Sequence, residues 1–173
     1  MRLWHKSLIS VLPRQQLVAQ LRECVLIAKN IYEKGKPNHS LVDCIMSYDI
    51  SHFNSYIYLV LLEMKMRKYK VRNETIAKLN KYTNLVYFNG VKFNDLFRNW
   101  HNETYLDICF YNLLEKFKCN TIKSDEWNKI LKRYYNLRKD YVLNTESFYK
   151  GIENEKVKTE ENFRDFSKTL LPL

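Results

Sequence analysis

At 173 residues the chain can build one domain with its own core and is too short to need a second. Apolar residues make up 46%, which excludes an intrinsically disordered chain, and three Gly with three Pro leave few turns between long helices. The formal charge of +10 favours an anionic partner, nucleic acid first, although lysine written on solvated faces gives the same total.

In chain order, Pro13 suits the first turn of a helix, and Leu17, Leu21, Cys24, Ala28 and Ile31 form its apolar stripe up to a stop near Gly35 and Pro37. "NHSLVDCIMSY" predicts a short helix entered through a polar cap. "SHFNSYIYLVLLEMKMRKYKV" predicts a longer one with Ser51 as N-cap. Its first half is apolar on all sides and belongs inside the bundle; after Glu63 it turns charged. "NETIAKLNKYTN" is a weaker helix with Asn73 as cap. "LVYFNGVKFNDLF" reads either as a small hairpin around Asn89-Gly90 or as a loop. "HNETYLDICFYNLLEKFK" puts Leu106, Cys109, Phe110, Leu113 and Phe117 on one helical face. "SDEWNKILKRYYNLRKDYV", capped by Ser124, sets Trp127, Ile130, Leu131, Tyr134 and Leu137 inward and Lys129, Lys132, Arg133 and Lys139 around the other face. Asn144 to Lys168 is polar and reads as one loosely attached helix. The expectation is an all-α fold, a single domain over 1–173 with about five to seven helices. Within it, 1–119 is the helical core, 120–143 a basic amphipathic helix and 144–173 a polar C-terminal extension.

Cys24, Cys44, Cys109 and Cys119 lack any C-x-x-C spacing and read as reduced, buried thiols rather than a disulfide frame or zinc site. "MRLWHKSLIS" has no apolar core of a signal peptide, and the longest apolar stretch, Tyr56 to Leu62, is too short for a membrane span. A soluble, cytoplasmic chain without a membrane partner is expected, with a monomer favoured.

On the first helix Glu23 lies about 120° from the centre of the apolar stripe, beside Gln16 and Gln20, with Arg22 on the other flank of the polar face. A carboxylate and a guanidinium on two shoulders of one helix can line a groove for an anionic strand; two ordinary surface residues would look the same. The run "LISVLPRQQLVAQLRE" narrows this choice. It resembles, without a gap, the N-terminal helix of the pyrimidine-dimer DNA glycosylases of the phage endonuclease V type, through Gln15, Leu17, Ala19, Arg22 and Glu23 at the same distance from Met1. "SHFNSYIYL" and "HNETYLDICFYNLLEKF", ending in Glu115-Lys116, are similar to later helices of that family, and "MRLWH" followed by "LPRQQL" is similar to an uncharacterised bacterial branch.

The resemblance implies a DNA glycosylase with abasic-site lyase activity, no metal or organic cofactor, and damaged or abasic-site DNA as partner. The nucleophile it implies is the chain's α-amine: that of Met1, or of Arg2 if Met1 is removed, which a bulky residue at position 2 normally prevents. An α-amine suits the task because roughly a tenth of it is free base at neutral pH. Glu23 is implied as catalytic carboxylate and Arg22 as phosphate clamp. Two further family arginines are Leu3 and Leu26 here. The alternative is a catalytically inactive helical DNA-binding or interaction protein on the same scaffold.

Expected DNA contacts are Arg2, His5, Arg14, Gln16, Arg22, His52, His101, Tyr105, Lys116, Lys132 and Arg133. Several have a plainer reading beside the functional one. Trp4 can be a core anchor, His52 a hydrogen-bonded histidine, and the stripe His101, Tyr105, Asn112, Lys116 a solvated helix face. His101 has no second ligand at zinc spacing.

Overall fold

The computed structural model describes residues 2–87 and 89–143. Met1 and the expected helix between Asn144 and Lys168 lie outside the described residues. Contacts divide the chain into the units Met1–Tyr134 and Tyr135–Leu173, and the first holds nearly everything described. Its elements are five α-helices, α1 (Arg14–Lys34), α2 (Ile50–Met66), α3 (Asn73–Thr83), α4 (Glu103–Lys118) and α5 (Ser124–Leu143), the last running on past Tyr134 into the second unit. Three 3₁₀ turns accompany them: Lys6–Val11, Ser40–Ser47 and Leu85–Tyr87. No strand occurs among the described residues, so the chain is all-α and the Asn-Gly stretch is a loop.

Helix α1 begins after Pro13 and stops at Gly35, whose φ of +71° places it in the left-handed region that a Cβ disfavours. Leu17, Leu21, Cys24, Ile27 and Ala28 fill its buried face, which packs on α2 and α3. Gln16 and Gln20 are buried with them, so this face is wider than the apolar stripe alone. Two caps differ from expectation. Asp49, not Ser51, caps α2 by accepting from Ser51 N, because a carboxylate two residues upstream reaches the amide that Ser51 itself carries. Helix α3 already includes Asn73, and Arg72 precedes it.

Inside α2, Phe53, Asn54, Ser55, Tyr56, Ile57, Val60 and Met64 are buried, as the apolar run requires. Its outer flank is not: Tyr58, Leu62 and Met66, spaced one turn apart, remain exposed. Helix α4 buries Leu106, Cys109, Phe110 and Leu113. It meets α5 through rings, with Phe110 stacked on Tyr134 at 3.7 Å and Phe117 on Trp127 at 5.0 Å. Of the four cysteines, Cys24 and Cys109 are buried thiols, whereas Cys44 and Cys119 are exposed, correcting the expectation of four buried ones. Cys44 lies on the outer side of the 3₁₀ turn Ser40–Ser47, which buries Val42 and Ile45 instead, and Cys119 is the C-cap of α4.

The N-terminal segment runs through the middle of this arrangement. Leu3, Trp4, His5, Lys6, Ser7, Leu8 and Ile9 are all buried. Carbonyls of its 3₁₀ turn and C-cap are held by two arginines: Arg67 donates to Leu12 O at 2.6 Å and Ser10 O at 2.8 Å, and Arg133 donates to Ser7 O at 3.1 Å. Arg67 is itself paired with Glu63 at 2.6 Å.

Candidate active site at the N-terminal segment

A buried stretch without regular structure must find partners for each backbone polar group. Residues 2–7 find them on side chains. Arg2 N donates to Glu23 Oε2 at 2.8 Å. Trp4 N donates to Gln20 Oε1 at 2.9 Å. Amides two apart on an extended chain face the same side, and residues three apart on a helix are neighbours, so α1 meets the segment with two matched acceptors. On other sides, Tyr105 donates its hydroxyl to Leu3 O at 2.6 Å and Tyr56 to Trp4 O at 2.7 Å. The His5 amide points at Cys109 Sγ at 3.3 Å.

The next two residues bind to the loop before α4. His5 Nδ1 accepts from Ser7 N, which leaves the ring proton on Nε2, 2.9 Å from His101 O. His101 Nδ1 in turn accepts from Lys6 N at 2.9 Å, and its Nε2 has no hydrogen-bond partner among the described residues. The two rings stack at 5.2 Å. Burial holds His5 down at about 4 and His101 well below the ordinary histidine range. Each Nδ1 also faces an N–H donor, so adding a proton there would set donor against donor. Lys6 sends its ammonium to Leu96 O at 2.7 Å and Asn94 O at 3.1 Å, and burial lowers its pKa.

This loop is fixed by Phe97, fully buried at φ +48°, a left-handed conformation uncommon for a bulky residue. His52 Nδ1 accepts from its amide at 3.1 Å, and its carbonyl accepts from His101 N at 2.7 Å. The strain thus sits where three histidines and the N-terminal segment meet.

The expected site residues separate into groups. Arg2 and Glu23 are brought together. The Arg2 guanidinium lies over the Trp4 ring, 5.5 Å from its centroid. Arg14, Arg22, Lys116 and Lys132 are exposed. Gln16 is buried, with its Oε1 unpartnered among the described residues. His5 and His101 are buried and turned toward one another, so His101 leaves the polar helix stripe where the sequence placed it. His52 is a hydrogen-bonded histidine, Tyr105 binds the Leu3 carbonyl, and Arg133 reaches Ser7 O. Trp4 is the expected core anchor, 7% exposed. Met1 lies outside the described residues.

Sequence reasoning did not find Gln20 and Tyr56, or the part of Cys109. The only signal was a buried-face position occupied by a polar group, visible at Gln20 as an amide beside the apolar stripe. Among the described residues no cluster of three or more His, Cys, Asp or Glu stands as a metal site, and no helix is long and apolar enough to cross a membrane. A shallow groove of about 490 Å³ does lie between α2 and the loop before α4, lined by Tyr58, Leu62, Val91, Phe93 and Leu96 among others, but none of the expected site residues borders it.

No curated protein and no solved structure matches the chain. A family model does. It covers residues 1–77, which include the N-terminal segment, α1 with Gln20 and Glu23, and α2 with Tyr56. Over that stretch the chain is similar to the pyrimidine dimer DNA glycosylase family.

Proposed function

We propose that the protein is a DNA glycosylase with associated abasic-site lyase activity, working through a backbone amine at the start of the chain and the Glu23 carboxylate. The observation that carries this is the 2.8 Å contact between the nitrogen of residue 2 and Glu23 Oε2. The amine is that of Arg2 when Met1 has been removed, and that of Met1, one residue further out, when it has not.

In the reaction, the free amine attacks the sugar C1′ and the bond from C1′ to the base breaks, the base leaving with the electron pair. Loss of the amine proton and opening of the sugar ring give an imine between C1′ and the chain. Removal of a C2′ proton then expels the 3′ phosphate by β-elimination, and water releases the enzyme. Glu23 is within reach of the nitrogen for each proton transfer, and its charge offsets the positive charge that develops at C1′. In this reading Arg22, one residue before Glu23, holds a phosphate, with Arg14, Lys116 and Lys132 as further contacts; all four are exposed. Base flipping gives the amine its access to C1′.

One observation favours a second reading, a DNA-binding protein without chemistry. With Met1 in place, the group that faces Glu23 is a peptide N–H, which is no nucleophile. Borohydride trapping on abasic-site DNA, run beside an intact mass measurement, separates the two. An enzyme gives a covalent adduct that acetylation of the terminus abolishes and Lys→Arg changes do not. Glu23→Gln lowers turnover by about a hundredfold or more while salt-dependent DNA binding stays near wild type. A trapping rate untouched by Glu23→Gln would overturn the assignment.

A further inference from the structure

The nitrogen facing Glu23 is aimed by contacts further along the chain. Leu3 O and Trp4 N belong to one peptide unit, and that unit is gripped at both edges: Gln20 takes the N–H from α1, and Tyr105 binds the oxygen from the first turn of α4. Gln20 and Tyr56 are fully buried, and their bonds serve any fold that buries Trp4. Tyr105 is only part-buried, and its ring is already packed by Trp100 at 5.5 Å and His101 at 5.2 Å. Leu3 is 0% exposed and stays in the core on apolar grounds alone. The Tyr105 hydroxyl is therefore dispensable for packing. What it fixes is the orientation of the peptide unit that precedes Trp4, and with it the direction in which residue 2 projects.

We propose that Tyr105 is a positioning residue for the reaction, its hydroxyl locking the Leu3 carbonyl so that the nitrogen of the preceding residue stays against Glu23. This rests on the glycosylase and lyase reading given above. It moves Tyr105 from the DNA-contacting set to the machinery that holds the nucleophile. Residue 105 lies beyond the stretch matched by the family model, so the lock is supplied by the remainder of the chain.

The test compares the wild-type chain, Tyr105→Phe and Tyr56→Phe in borohydride trapping on an oligonucleotide with one abasic site, across pH and substrate concentration. Tyr105→Phe is expected to lower the maximal rate by between about tenfold and a hundredfold, with KM unchanged, since a misplaced nucleophile costs that much. The acid limb of its pH profile should also move to lower pH, because an amine drifting from a carboxylate loses support for its protonated form. Tyr56→Phe should lower the melting temperature and leave that limb in place. In both proteins, below their melting temperatures, amide exchange is read at Trp4, which should lose protection in Tyr105→Phe. A wild-type maximal rate, an unmoved acid limb or unchanged Trp4 protection in Tyr105→Phe overturns the lock alone. A raised KM at unchanged maximal rate overturns it too, and returns Tyr105 to a DNA contact. A wild-type protein that forms no adduct removes the underlying reading itself.

Discussion

Two stretches of this chain lack regular helix, and they solve the same problem in opposite ways. The N-terminal segment is buried at every position from Leu3 to Ile9, while the loop of residues 89–95 is exposed at every position except Val91. Most of the loop's polar groups are open to solvent, and a few are met by protein, as Val91 N is by Ser55 Oγ and Asn94 O by Lys6. The segment is closed to solvent, so its amides and carbonyls are met by Glu23, Gln20, Tyr105, Tyr56 and His101, drawn from α1, α2, α4 and the turn before α4. Burial of irregular backbone is possible only where polar side chains are spent on it. The lesson is that the segment's position is specified from several sides by side-chain partners, whereas the loop's is not.

This contrast can be attacked at several points. The largest effect is expected in the segment's apolar anchors: Leu8→Ala, at a fully buried site, should cost about 3 kcal/mol in denaturant unfolding. Acid comes next. His5 is neutral in the folded chain down to about 4, whereas an unfolded histidine takes up its proton near its ordinary value of 6.5. Below that value the unfolded state binds the proton that the folded state refuses, so stability falls as pH drops from 6.5 toward 4. Between about pH 7 and 5 the loss should be about 2 kcal/mol from His5, with His101 adding in the same direction. Urea midpoints at the two pH values measure it, and flat stability would mean the pair is not buried as described. Gln20→Ala, which strands the Trp4 amide, should cost about 1 to 2 kcal/mol by the same denaturation assay. The smallest change belongs to the loop: Asn94→Ser, which keeps the carbonyl that Lys6 uses, should stay within about 0.5 kcal/mol of wild type.

The helices themselves were legible because burial there follows a period. Leu17, Leu21, Cys24 and Ala28 recur at helical spacing, and Gly35 ends α1 where glycine tolerates a positive φ. Glu23 was singled out by the resemblance of the first helix, and it meets the nitrogen of residue 2. The grip on the segment was not. Gln20, Tyr56 and Tyr105 answer individual backbone atoms far away in sequence, and a polar residue serving such an atom leaves no periodic mark. His101 was assigned to an outward stripe by extending the helix backwards, but the chain turns at Phe97 and Trp100, before α4 begins, and carries the ring inward. The outer flank of α2 failed in the opposite sense: Tyr58, Leu62 and Met66 continue the apolar run yet face solvent, because one helix cannot be covered on every side in a bundle this small.

The arginines at the far end of the segment bear on how this protein meets a polyanion. Arg67 and Arg133 spend their donors on carbonyls of Ser10, Leu12 and Ser7, so part of the formal +10 is engaged inside the molecule. Affinity for a duplex should therefore decline with ionic strength along a gentler line than the charge total implies, since only cations free to displace condensed counterions enter the slope. Replacing Arg67 by Ala would accordingly leave that line almost parallel to the wild type, whereas Arg22→Ala should flatten it by about one unit.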